Sequence, residues 1–157
     1  MSSDGVPLPE WRDALVSYCL KVLAQTGRDN WELSVLLCGD ETIRNLNAKY
    51  RNIDEATDVL SFILGAEETA KDGSLRYFPG DIVISLETIR ENAEYFQINA
   101  DEELRRVLIH GILHLDGMDH ESNDANEPMI VRQETILNTL KEEYILQNID
   151  ELCGGDK

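Results

Sequence analysis

All three histidines of the chain lie within eleven consecutive residues, 110–120, which read HGILHLDGMDH. Residues four apart lie one above the other on a helix, so His110 and His114 can direct their imidazoles at the same ion. Gly117 suits the left-handed backbone that ends a helix, and the turn after it leaves His120 free to supply a third ligand. The spacing therefore predicts a helix, a tight turn and a single three-histidine metal site.

Three neutral imidazoles suit zinc, and three protein ligands leave a fourth position for water, as in catalytic rather than structural zinc sites. Zinc lowers the pKa of its water to about 7 and polarises carbonyl or phosphoryl oxygens, so hydrolysis is the expected chemistry. We therefore expect one Zn²⁺ per chain, held by His110, His114 and His120. Asp116 and Asp119 flank these ligands; they either orient an imidazole or are simply polar residues of a turn.

The histidines and the glycine match the long zincin pattern H-E-x-x-H-x-x-G-x-x-H, but Gly111 occupies the glutamate position. In zinc peptidases that glutamate is the general base, and glycine can neither accept nor donate a proton. The pattern thus favours a metal site while arguing against ordinary peptide hydrolysis. It indicates a substrate whose cleavage depends more on charge stabilisation than on a carboxylate base.

Composition is that of one globular domain. The chain has 157 residues, of which 42% are hydrophobic and 29% charged. We expect a single domain over residues 1–157, with a frayed tail at about 150–157. The sequence has neither a signal peptide nor an apolar span of membrane length, and its three cysteines form no C-x-x-C pair. These features predict a cytoplasmic protein that does not contact a membrane.

The net charge of −17 argues against a general nucleic-acid binder, because such binding depends on Lys and Arg side chains that neutralise phosphates. The cations are unevenly distributed, however. Residues 42–53 contain Arg44, Lys49 and Arg51 and no acidic residue. This distribution predicts a local positive site within a negative protein.

Hydrophobic periodicity predicts an α+β fold with a mixed sheet of about four strands, packed with about five helices that include a zincin-like three-histidine metal helix. A loop is expected at 65–73. In the second helix, Asp40 is the expected cap, Ile43, Leu46 and Tyr50 form the expected buried stripe, and Arg44, Asn47 and Arg51 form a polar one. The predicted helices span 8–24, 40–50, 86–96, 101–115 and 128–146, and the predicted strands span 31–37, 59–64, 75–78 and 81–85.

Three blocks together resemble a known family. LNAKYRNIDEATDVLSF at 46–62, GDIVIS at 80–85 and the histidine block at 110–120 resemble the bacterial YbeY family of zinc-dependent endoribonucleases, which mature ribosomal RNA. Only the last block is specific by itself, but the three occur in one order over most of the chain. Two positions depart from the family pattern: Ile63 replaces a usual proline, and Met118 replaces a common tyrosine.

The resemblance implies a zinc ion on His110, His114 and His120, and a cleft beside it for single-stranded RNA. It also maps Arg51 onto the arginine associated with catalysis. A planar guanidinium suits that role, since it can meet two oxygens of a phosphate on which charge develops. The alternative for Arg51 is a surface position at a helix end. Thr57, Asp58 and Ser61 fit helix capping or turn formation as well as a role in the cleft.

The resulting hypothesis is a metal-dependent, single-strand-specific endoribonuclease that acts in maturation of the 16S rRNA 3′ end and in ribosome quality control. Its expected partners are ribosomal RNA and the small ribosomal subunit. Two other functions stay open: a zincin-like metal-dependent amide hydrolase, and a ribosome-assembly binding module in which the metal is structural. The nucleophile also stays open between water and a ribose 2′-hydroxyl.

Overall fold

Nine helices and strands make up the part of the chain that the computed structural model describes, which comprises residues 2–3, 10–28, 30–119, 122 and 124–146. No helix among these residues has the length and apolar character needed to cross a lipid bilayer. The elements are, in chain order, β1 (Ser2–Ser3), α1 (Arg12–Gln25), β2 (Ser34–Cys38), α2 (Asp40–Arg51), β3 (Val59–Thr69), β4 (Leu75–Ser85), α3 (Leu86–Phe96), α4 (Ala100–Leu115) and α5 (Pro128–Thr139).

The sheet is mixed and has the order β1-β2-β4-β3. Strand β4 pairs in parallel with β2 and antiparallel with β3, while β1 contributes two residues beside β2. The mixed α+β architecture and the five helices confirm the predicted fold class. The prediction of about four strands is wrong, since the sheet has three strands of five or more residues and a two-residue segment at its edge.

The strand count differs because the predicted strands 75–78 and 81–85 are one continuous strand, β4. Pro79 and Gly80 do not break it, since the pairing with β3 shifts between Ile63 and Ala66 at this point. Gly80 has a φ of 146°, and a Cβ there would lie 1.9 Å from the carbonyl oxygen of Phe62. Glycine therefore lets the two strands approach each other closely where a turn was expected. The predicted loop at 65–73 is likewise strand as far as Thr69.

Strand β4 separates two hydrophobic clusters. Ile82 and Ile84 face the larger cluster, which α1, α4 and α5 complete, and Val83 faces a smaller cluster with Ile43 of α2. This alternation is the period-two pattern of a strand buried on both faces. Helix α4 lies at the centre, as its apolar sequence predicts, with Leu104, Leu108, Ile109 and Ile112 fully buried.

Helix α1 begins at Arg12 rather than at residue 8, and α2 differs from the prediction in the side chains that it buries. In α2, Asn47 of the predicted polar stripe is buried and donates to the carbonyl of Glu55. Tyr50 of the predicted buried stripe is exposed. Asp40 does not cap α2; its Oδ1 accepts hydrogen bonds from Ser85 and Thr88.

Helix α5 is shorter than predicted. It ends at Thr139 rather than near residue 146. The backbone amides of Ile145 and Leu146 instead donate to Oδ1 of Asp101, each over 2.7 Å. These bonds hold the chain against the start of α4 in a conformation that a helix could not adopt. The tail expected at about 150–157 lies outside the described residues.

Candidate active site

Helix α4 brings two of the three predicted metal ligands together. His110 and His114 lie one turn apart, with 3.1 Å between their Nε2 atoms. Two nitrogens bound to tetrahedral zinc at the usual bond length of about 2.0–2.1 Å would lie about 3.3–3.4 Å from each other. The two rings therefore present their Nε2 atoms at nearly the separation that a shared zinc ion requires. Both side chains line a cleft.

The turn after α4 has the predicted form. Gly117 has a φ of 90°, its amide donates to the carbonyl of His114, and the amide of Met118 donates to that of Leu113. This pair of bonds is the Schellman arrangement that ends a helix and turns the chain back. Asp119 follows on the cleft wall, and His120 lies outside the described residues. Within those residues, no three His, Cys, Asp or Glu side chains form a metal-binding group, so the three-histidine site stays a prediction.

Gln133 of α5 fixes the orientation of His110, and the sequence reasoning missed it. Its Oε1 lies 2.6 Å from Nδ1 of His110, and its Nε2 donates to Glu134 over 3.0 Å. Since Nε2 must be the amide nitrogen to donate, Oε1 is the acceptor and His110 carries its proton on Nδ1. That tautomer leaves the lone pair of the His110 Nε2 atom available for a metal.

An ion pair between Arg106 and Glu134 holds the side-chain amide of Gln133 in this orientation. Arg106 donates to both carboxylate oxygens of Glu134, over 2.9 and 3.0 Å. Burial by itself raises the pKa of Glu134, but the hydrogen bonds from Arg106 and Gln133 outweigh it and lower the pKa. Glu134 is thus held as an anion that accepts from Gln133. The connected side chains run from Arg106 in the cleft wall to His110.

Arg51, the last residue of α2, also lines the cleft. Its Nη2 donates to the carbonyl oxygen of Ser61 over 2.6 Å, and its guanidinium lies 5.6 Å from the ring centre of Phe62. Ser61 in turn donates through its hydroxyl to the carbonyl of Gly111. Contacts with β3 therefore hold the guanidinium in the cleft that contains the two imidazoles, although Arg51 is 59 positions before His110 in the chain.

Gly111 explains why the peptidase glutamate has no place in this fold. A Cβ at residue 111 would lie 3.1 Å from two carbon atoms of Ile82, a fully buried side chain of β4. This contact is tighter than most Cβ contacts, so Ile82 would have to shift by a few tenths of an ångström, and a longer side chain would need still more room. Residue 111 faces the sheet and is not among the residues that line the cleft, which agrees with the absence of a general base at this position.

Polar residues make up most of the complete cleft lining, and Val59, Leu60, Ile63, Val107, Met118 and Ile130 add apolar wall. The cleft has a volume of about 670 Å³ and lies between β3, α4 and α5. Thr57 and Asp58 line it, and the Asp58 carboxylate also accepts from its neighbour's backbone amide, Val59, over 2.8 Å. Burial, followed by repulsion from Asp58, raises the pKa of Glu103 in the same wall. Asp116, in contrast, is paired with Arg28 over 2.8 Å and does not line the cleft.

A polar cleft with paired imidazoles and a positioned guanidinium, set in a small α+β fold, is typical of a hydrolase active site. Comparison with known proteins identifies the family of hydrolases to which the chain is similar. The family model described as Endoribonuclease YbeY matches residues 4–141. The chain belongs to this family, as its sequence blocks predict.

Relatives of the chain carry the same description. It is 45% identical over 137 residues to Endoribonuclease YbeY of Treponema pallidum, covering 87% of this chain and 86% of that protein. The YbeY of Treponema denticola is 46% identical over 121 residues, covering 77% and 78% of the two chains. A solution structure of a Thermotoga maritima protein is 29% identical, covers 90% of this chain and 91% of its own, and has a TM-score of 0.58.

Proposed function

We propose that this YbeY-family endoribonuclease cuts single-stranded ribosomal RNA in the cleft between β3, α4 and α5. One zinc ion would be held there by His110, His114 and His120, and Arg51 would stabilise the negative charge that develops on the scissile phosphate. The observation that carries this proposal is the convergence of Arg51 and the two imidazoles on one cleft from separate parts of the chain.

Cleavage of a phosphodiester places additional negative charge on its non-bridging oxygens. A guanidinium has donors in a planar fork that can meet two such oxygens, and Arg51 is held in place by Ser61 and Phe62 before any substrate binds. Donors positioned in advance stabilise a transition state without reorganising during the reaction. The geometry thus suits a phosphate better than a peptide bond.

Two contacts in the cleft support the proposed metal position. Gln133 selects the His110 tautomer whose Nε2 can bind a cation, and the Nε2 of His114 lies 3.1 Å away. When bound, zinc supplies Lewis-acid polarisation of a phosphoryl oxygen and activation of water. His120 would complete the ligand set after the turn at Gly117.

The size of the cleft bears on the substrate. A volume of about 670 Å³ lies in the range of small-ligand pockets, and we propose that the cleft holds part of an unpaired strand rather than a duplex. We propose that residues 1–157 form one catalytic domain that acts in the cytoplasm. Its partners would be 16S ribosomal RNA near the 3′ end and the small ribosomal subunit, with a role in ribosome quality control.

The test is a turnover assay on a labelled single-stranded RNA, with casein as the amide substrate. We expect RNA cleavage that stops on exhaustive chelation and returns with zinc, and no cleavage of casein. Arg51→Ala should lower RNA turnover by roughly 10²–10³-fold, the usual loss for one transition-state donor. Arg51→Lys should restore only part of it, because an ammonium keeps the charge but not the fork.

Each alternative has its own result. Casein cleavage would favour the amide hydrolase. Unchanged RNA turnover in Arg51→Ala at saturating substrate would remove Arg51 from the mechanism and favour the binding module. A substrate with a single 2′-deoxy sugar at the cleaved linkage distinguishes the nucleophiles, since its cleavage would exclude attack by the ribose hydroxyl.

A further inference from the structure

A second cavity, of about 450 Å³, lies on the other face of the sheet from α4. Its floor is formed by side chains of the sheet, among them Leu36, Val83 and Phe62, and its wall by Leu46 and Tyr50 of α2. We name this cavity the α2 groove. Tyr50 is 58% exposed, so a large aromatic ring borders the groove and is open to solvent. Apart from Phe62, which packs against the guanidinium of Arg51, these residues have no part in the proposed catalytic role of the first cleft.

The α2 groove and the cleft meet at the edge of the sheet. Strand β3 is the outermost strand on this side. Arg51 lines the cleft, yet its guanidinium lies over the ring of Phe62, which lines the groove. The ring of Tyr50 packs edge-on against Phe62, with 5.4 Å between the ring centres. A strand of RNA that contacts Arg51 could therefore continue over β3 into the groove without leaving the protein surface.

A cation, Lys49, lies beside the aromatic wall of the groove in a strongly acidic chain. Residues 42–53 contain no acid, in a protein of net charge −17. Arg44 is paired with Asp54 just beyond this stretch, whereas the ammonium of Lys49 lies 5.1 Å from the ring centre of Tyr50. An aromatic ring bordered by cations is the combination that binds unpaired nucleotides, since the ring stacks on a base while the cations attract the phosphates.

We propose that the α2 groove is a subsite for an unpaired base of the RNA, stacked on Tyr50 with its phosphate towards Lys49. This inference rests on the proposed function, because it places the same strand across both cavities. Asp81 and Ser34 line the groove as well. A carboxylate there suits the amino edge of a base rather than a phosphate, which keeps the backbone on the α2 side. The subsite would position the strand for cleavage at Arg51.

The test measures binding of an RNA oligomer of about 12 nucleotides that carries one fluorescent adenine analogue, with chelator present to prevent cleavage. Stacking on Tyr50 should quench the fluorophore at one position of the strand. Because loss of one stacked base costs about 1–3 kcal/mol, Tyr50→Ala should weaken binding roughly 5- to 160-fold and remove the quenching. Tyr50→Phe should retain both. The matched control is Tyr95→Ala, which removes an 81%-exposed tyrosine of α3 and should bind like the parent.

An abasic nucleotide moved along the same oligomer gives the decisive comparison. At one position of the strand, the abasic nucleotide should weaken binding to the parent protein as much as Tyr50→Ala weakens binding of the unmodified strand. In the Tyr50→Ala variant the same abasic strand should cause no further loss of affinity, because both changes remove the same contact. If Tyr50→Ala bound every one of these oligomers with the affinity of the parent protein, the subsite would be overturned and the groove would be left as a surface for a protein. Failure of the parent to cleave RNA with zinc is a separate result, and it would refute the proposed function itself.

Discussion

An imidazole can bind a metal only through a nitrogen that carries no proton, so the tautomer of a histidine decides which of its nitrogens is a ligand. The Nδ1 of His110 donates to Gln133, whose amide is oriented by Glu134 and, through it, by Arg106. In this series of hydrogen bonds, Arg106 and Gln133 donate to Glu134, and His110 donates to Gln133. The Nε2 of His110 is therefore set towards His114 before any metal arrives.

Replacing Gln133 by leucine should weaken zinc binding about 10- to 100-fold, the usual effect of removing a partner that orients a metal-binding histidine. Competition with a chromophoric chelator measures this affinity. In the metal-free variant, ¹⁵N shifts of the imidazole should show a mixture of His110 tautomers instead of one. Ile136→Val provides the control, since it removes a methylene from a buried residue of α5 that does not line the cleft. Equal zinc affinity in Gln133→Leu and the parent would contradict the role of Gln133.

The sequence offers the histidines and Arg51 as candidates but not Gln133, and the reason is chemical. Histidine spacing along one helix is a local property, which a sequence displays directly. The contact of Gln133 with His110 depends on how α5 packs against α4, which local spacing does not determine. One signal was present: Met129, Gln133, Ile136 and Leu137 form a single buried stripe, and a polar residue within an apolar stripe requires a partner.

For the helices and strands, the prediction agrees with the structure where the local sequence signal is strong. Helix α3 spans 86–96 as predicted, since Ser85 caps it through the amide of Thr88. Strand β4 was divided in two because Pro79 and Gly80 are strong turn residues in isolation. Their effect is overridden by pairing with β3 on one side and β2 on the other, a tertiary influence that local propensity does not contain.

The packing of α4 on β4 gives the second prediction, Gly111→Ala. Alanine favours a helix by about 1 kcal/mol over glycine, but the new Cβ would lie 3.1 Å from Ile82, a fully buried side chain that would have to shift by a few tenths of an ångström. We expect the steric cost to exceed the propensity gain, so that the free energy of unfolding falls by about 0.5–2 kcal/mol. Urea denaturation measures the change.

A double-mutant cycle isolates the cause. Ile82→Val removes one of the two carbon atoms that the new Cβ would meet at 3.1 Å. In that background Gly111→Ala should cost less than in the parent, because the two side chains compete for the same volume. A more stable Gly111→Ala protein in the parental background would show that β4 yields to the new methyl group.

At the scale of the whole molecule the protein is strongly acidic, while its cleft mixes both signs of charge, with Arg51 and Arg106 beside Asp58, Glu103 and Asp119. A protein of net charge −17 repels nucleic acid at long range, so favourable contacts must be confined to short distances. Arg51 comes from α2, the imidazoles from α4 and Gln133 from α5, and the cleft exists only when these elements are packed together. Binding at the cleft should accordingly be linked to the folding of the chain.

This linkage gives the last prediction, in which metal binding appears as stability. Zinc at a hundred times its dissociation constant adds about 2.7 kcal/mol to the folded state, and each kcal/mol raises the Tm of a domain of this size by about 2–4 °C. The Tm of the parent should therefore rise by about 5–11 °C with zinc and fall back with chelator. His114→Ala should lose most of this rise, because two ligands do not hold zinc tightly in an open site. Arg51→Ala should keep the rise while losing turnover, which separates the metal ligands from the phosphate contact. An equal rise in His114→Ala would mean that zinc binds elsewhere.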